Sequence, residues 1–168
     1  PPKGVRGEYD RINEIQSKEQ SLVLKFDSLQ EDTKAAAQKN LISLTGDKAK
    51  SYLIYDKMKM YVYGKSSEWI EGNRSDVNVF LKFGLGEDFY EITQPVFEGW
   101  DEQENRNKIE IDLNWLTKLK VQNPESVSKI SATDTLIVTE DERIYIFRDE
   151  QGEPTKKKIT IRGQPSLS

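Results

Sequence analysis

Hydrophobic and polar side chains alternate with a period of two in several short stretches of this chain. Residues 109–113 (IEIDL) show it best, with Ile109, Ile111 and Leu113 on one face and Glu110 and Asp112 on the other, as a half-buried strand requires. Residues 21–26 (SLVLKF) set Leu22, Leu24 and Phe26 against Val23 and Lys25. In residues 51–63 (SYLIYDKMKMYVY), Met58, Met60 and Val62 share a face with Asp56, while Lys57, Lys59, Tyr61 and Tyr63 point the other way. Asp56 and Lys57 mark either the middle of one strand or a break between two. Residues 77–83 (VNVFLKF) read as a central strand with Val77, Val79, Leu81 and Phe83 inward and Phe80 covered by a second layer or a loop.

The remaining segments continue the pattern. Glycines at 84 and 86 connect residues 77–83 to a strand over 89–93, and a long polar connection over 95–107 holds Trp100. Residues 115–119 predict a short helix capped by Asn114, with Trp115, Leu116 and Leu119 on one face. Residues 135–139 and 143–148 read as strands joined by a polar turn, and 158–162 as a last strand with Ile159 and Ile161 inward. Residues 30–44 read as a loop or brief helix followed by a strand, and residues 125–130 as irregular. Roughly seven to nine short strands predict a mainly β fold of antiparallel sheets with one or two short helices. That is a β-sandwich, jelly-roll-like and of the galactose-binding-like kind. Residues 1–20 form an extended lead-in, and residues 21–168 a single domain.

Composition narrows the chemistry more than the fold. At 168 residues one domain is the natural prior, able to bury about 70% of its unfolded surface. The 25 Lys and Arg against 29 Asp and Glu give a net charge of −4, so nucleic acid and anionic lipid are not general partners. No stretch approaches the ~20 apolar residues of a spanning helix. The start at Pro1–Pro2 suggests an engineered start or an internal fragment, so the absence of a targeting segment says little about the parent protein. There is no Cys and no His, which removes thiol nucleophiles, imidazole bases, zinc clusters and disulfides.

Acid–base chemistry would then fall to Asp and Glu. Glu110 and Asp112 lie two apart on one strand face, roughly 7 Å between Cβ atoms, a spacing that any solvated face produces. Asp101, Glu102 and Glu104 form an acidic run in a loop without the converging oxygens of a calcium site. Gly84 and Gly86 lack the third glycine and the helix of a dinucleotide fingerprint, and simply permit positive φ. The run Lys156–Lys157–Lys158 either protects an edge or meets an acidic partner. Asn73-Arg74-Ser75 matches a glycosylation acceptor only as a three-residue pattern. No catalytic, cofactor or metal residue is assigned. The aromatics argue best for binding: Trp69 and Trp100 in polar loops, Tyr61 and Tyr63 on one strand face beside Lys59. The competing reading folds Trp69 and Trp100 back as lids over the sandwich ends.

Several phrases, in order along the chain, resemble the SprA/Sov family, the large outer-membrane translocons of the type 9 secretion system and gliding motility in Bacteroidetes. They are EQSLVL with LQ (residues 19–24 and 29–30), DKMKMYVY (56–63), VFLKFG (79–84) before FYEI (89–92) and Pro95, NRNKIEIDL (105–113), and IRGQPSL (161–167). The resemblance implies a non-catalytic structural or interaction module of a protein-secretion translocon. Its partners would be other segments of the parent protein, secretion-system subunits or cargo, at the periplasmic or cell-surface side of the outer membrane. In that family a further strand follows the last phrase, so the resemblance also implies a sandwich lacking its last strand. The alternative expectation is a carbohydrate-binding module of a secreted or cell-surface protein, with weak glycan binding through the same aromatics.

Overall fold

The computed structural model describes residues 55–65, 74–121 and 134–165, with shorter pieces at 9–10, 15–16, 22–25, 30 and 32–38. The chain divides into two compact units, Pro1–Lys50 and Ser51–Ser168. In the first, β1 (Tyr9–Asp10) pairs antiparallel with β2 (Ile15–Gln16). Residues 22–25 do not form the expected strand: they carry no regular structure, and Leu22 and Val23 are 76% and 70% exposed. Alternation shows that a segment could be half-buried, but a strand also needs a ladder partner, and these residues have none among those described.

Among its described residues the second unit is mainly β, as the alternation requires, with two antiparallel sheets and one helix. Its smaller sheet pairs β3 (Lys57–Tyr61) with β6 (Lys108–Asp112). The larger joins β4 (Arg74–Leu85), β5 (Asp88–Phe97), β7 (Thr135–Val138), β8 (Glu142–Arg148) and β9 (Pro154–Arg162) in the order β4-β5-β9-β8-β7. Helix α1 (Leu113–Val121) follows β6 directly. β3 starts at Lys57, so Asp56 does not sit in the middle of a strand, while residues 51–54 of that reading lie outside the described residues. The strand expected to be central, β4, instead ends the described sheet order, and Val77 is 41% exposed. Its apolar run is matched by the inner face of β5 rather than by strands on both sides.

One core joins the two layers. Tyr90 and Ile92 of β5, Tyr145 of β8 and Ile159 and Ile161 of β9 meet Ile109 and Ile111 of β6, with Met58 and Met60 of β3 packed alongside. Ile92, Ile109 and Leu116 are fully excluded from solvent, each worth about 1.5–3 kcal/mol over an exposed side chain. β5 runs past the expected end at Thr93 because Pro95 lies beyond its last pair with β9, Thr93 with Lys158, where the missing N–H breaks no bond to that strand.

Helix α1 starts two residues earlier than its apolar spacing indicates. Its cap is Asp112, not Asn114: Asp112 Oδ1 accepts the Trp115 N–H at 2.8 Å. Leu113, Leu116 and Leu119 are buried, and Trp115 meets Tyr145 edge to face at 5.3 Å. Beyond β9, the carbonyl of Pro165 accepts from Tyr90 Oη at 3.3 Å and from Lys120 Nζ at 2.8 Å. No helix among the described residues is long and apolar enough to cross a membrane.

Candidate functional site

The β3–β6 register decides which side chains share the outer face of the smaller sheet. Lys57 opposes Asp112, Lys59 opposes Glu110, and Tyr61 opposes Lys108. Residues 57, 59 and 61 therefore present lysines and a tyrosine outward, while Met58 and Met60 turn to the core. Three lysines converge on one acid: Glu110 contacts Lys57 at 3.4 Å, Lys59 at 3.8 Å, and Lys108. The hydrogen bond from Lys108, then that from Lys57, holds the Glu110 carboxyl below its ordinary range, and Glu110 in turn raises Lys108.

Past the end of β3 the chain is pinned to the loop after β5. Gly64 and Gly99 exchange N–H···O=C bonds, each 2.9 Å. Only glycine fits at 64, because a Cβ there would collide with the Phe97 carbonyl oxygen. This bridge brings two of the predicted aromatics together: Tyr63 and Trp100 meet at 5.1 Å with their planes at 62°, and Tyr63 is 55% exposed.

The loop carrying Trp100 is braced from beneath. Asn107 is buried, and its amide donates to the carbonyls of Phe97 at 2.7 Å and Gly99 at 2.9 Å while its Oδ1 accepts the Phe97 N–H at 2.8 Å. Gln94 adds a bond from Nε2 to the Arg106 carbonyl at 3.0 Å. Asp101 takes the backbone N–H of Arg106 at 2.6 Å and its guanidinium at 2.7 Å, which lowers the Asp101 carboxyl below the usual carboxylate range. The same guanidinium lies 3.9 Å over the Phe97 ring.

Of the four aromatics expected at an interaction surface, Tyr63 and Trp100 touch, Tyr61 lies on the same face of the sheet, and Trp69 falls outside the described residues. Trp100 is half-buried against Tyr63 rather than standing clear in solvent. The carboxylate pair weighed for catalysis is engaged elsewhere. Glu110 is held by lysines, its pKa moving opposite to that of a general acid, and Asp112 caps α1. Asp101 is committed to Arg106, and among the described residues no group of three or more His, Cys, Asp or Glu could hold a metal ion. Sequence reasoning missed Asn107 and Lys108. A polar residue directly before a clean alternating strand was the available signal for both.

Comparisons with protein-family models, curated proteins and solved structures found no match.

Proposed function

We propose that this chain is a non-catalytic interaction domain, acting in the setting that its sequence phrases resemble, an outer-membrane protein-secretion translocon. The observation that carries this reading is the Tyr63–Trp100 pair beside a strand face bearing Lys57, Lys59 and Lys108. A half-exposed aromatic pair offers apolar area for burial on contact, and surrounding lysines steer an approaching partner. The loop behind it is fixed by Asn107 and the Asp101–Arg106 pair, so little ordering cost remains when it binds. On this reading the partner is another segment of the parent protein, a secretion-system subunit or cargo, and the domain would sit at the cell envelope.

The carbohydrate reading fits less well. Sugars stack on flat exposed rings, and two rings 62° apart share no common platform. The test uses the parent translocon in its own cell, with Tyr63→Ala and Trp100→Ala combined. Secretion of cargo is expected to fall while the parent protein's level in the outer membrane holds. Unchanged secretion by the double variant would refute the proposal.

A further inference from the structure

Between the two layers, beside β6, lies a cleft of about 310 Å³. Its floor is Ile92, Ile109, Ile111 and Ile159, and its aromatic wall is Trp115, Tyr145 and Phe147. Glu110 and Asp112 line it as well as Ile109 and Ile111, so residues from both faces of β6 border it, and the strand turns its edge to the cleft.

Among the described residues, the ladder leaves backbone groups on this edge without a strand partner. The Val62 N–H donates to the Asn107 carbonyl at 3.0 Å, and the Leu113 N–H to the Asp56 carbonyl at 2.9 Å. By the alternation of an antiparallel pair, Ile109 and Ile111 then spend their backbone groups on β3. The N–H and C=O of Glu110 point the other way, and among the described residues no strand pairs with that edge.

Among the described residues, one charge at the cleft also has no opposite charge paired with it. Lys157, beside a shift in the β8–β9 register, lies 4.9 Å over the Phe147 ring and makes no ion pair among the described residues. Burial pushes its ammonium below the ordinary lysine range. The three carboxylates that border the cleft are already occupied: Glu110 by three lysines, Asp112 by the α1 cap, and Asp134 by Tyr145 Oη at 2.7 Å and the Arg148 N–H at 2.9 Å.

We infer that this cleft binds an extended acidic peptide segment, which adds a third strand to the edge of β6, seats an apolar side chain on the isoleucine floor and sets a carboxylate two residues along against Lys157. Main-chain bonds to Glu110 would supply the register, and the cleft and the lysine the selectivity. The volume sits at the bottom of the about 300–1,000 Å³ range of small-molecule pockets, which suits one or two anchoring side chains better than a whole ligand. The inference is independent of the Tyr63–Trp100 face.

The probe is the capped peptide Thr-Val-Thr-Leu-Thr-Glu-Thr, titrated into the 168-residue chain and followed by amide chemical shifts and hydrogen exchange. Binding tighter than about 1 mM is expected. Shifts should centre on Glu110, Asp112 and Lys157, with slowed exchange at the Glu110 amide. Lys157→Met, which keeps the apolar stem, or Glu→Gln in the peptide should weaken binding about fivefold. N-methylation of the peptide's leucine or of a neighbouring residue should abolish it without touching the protein's fold. The inference is overturned by no perturbation at about 1 mM, by shifts confined to other strands, or by indifference to both Lys157→Met and N-methylation. Decanoate binding in the cleft where the peptide fails would also overturn it, in favour of a small amphipathic acid.

Discussion

Replacing Asn107 by alanine tests whether the loop bearing Trp100 is held by one buried amide. The side chain makes three bonds, to the Phe97 carbonyl, the Gly99 carbonyl and the Phe97 N–H, and is 1% exposed. Each such bond contributes about 1 kcal/mol net, and a buried partner left unsatisfied costs about 1–3 kcal/mol. Gly99 is only half-buried, so water can replace its bond, whereas the two groups of Phe97 lose more. The expected loss is about 3 kcal/mol, or a fall in melting temperature on the order of 10 °C for a unit of this size. Denaturant melts followed by tryptophan fluorescence measure it. Asn107→Asp, equal in shape but facing two carbonyl oxygens with acceptors, should be at least as damaging at neutral pH. A loss below about 1 kcal/mol for Asn107→Ala would show that the loop is held by other contacts and would refute the argument.

Two further outcomes follow from the same site. Asp101 is stabilised as a carboxylate by Arg106, so its contribution is complete above about pH 4 and disappears as pH falls through its lowered value. Asp101→Asn should therefore cost about 2 kcal/mol at neutral pH and flatten the acid limb of a stability–pH profile; an unchanged limb would count against the pairing. Gly64→Ala should cost more than about 2 kcal/mol, because the new Cβ meets the Phe97 carbonyl, and should separate Tyr63 from Trp100; a variant as stable as the parent would contradict the bridge geometry.

Alternation was a reliable guide where one face of a strand could be buried. β6 appears almost as read, because Ile109 and Ile111 have Ile92 and Ile159 to pack against. Pairing was less legible. Nothing local in residues 77–83 indicates that β4 has β5 on one side and ends the described order, and nothing in residues 22–25 reveals that they have no ladder partner among the described residues. Side-chain-to-backbone bonds were hardest to foresee. Asp112 and Asn114 are equally good caps by type, and the choice went to Asp112 because β6 delivers it to the Trp115 N–H. Tyr61, Tyr63 and Trp100 were visible as aromatics, but their relation depends on the Gly64–Gly99 bridge, a contact across 35 residues that periodicity does not encode.

The shared acceptor at Pro165 has a practical consequence for anyone cutting or joining this polypeptide. Because Tyr90 and Lys120 both bond to that one oxygen, the few residues beyond β9 act as a latch between a core strand and the last turn of α1. A shortened version stopping at Arg162 would leave a buried phenol without its acceptor and release the end of the helix. A tag or fused domain is better attached downstream of the latch than at the apparent end of the sheet.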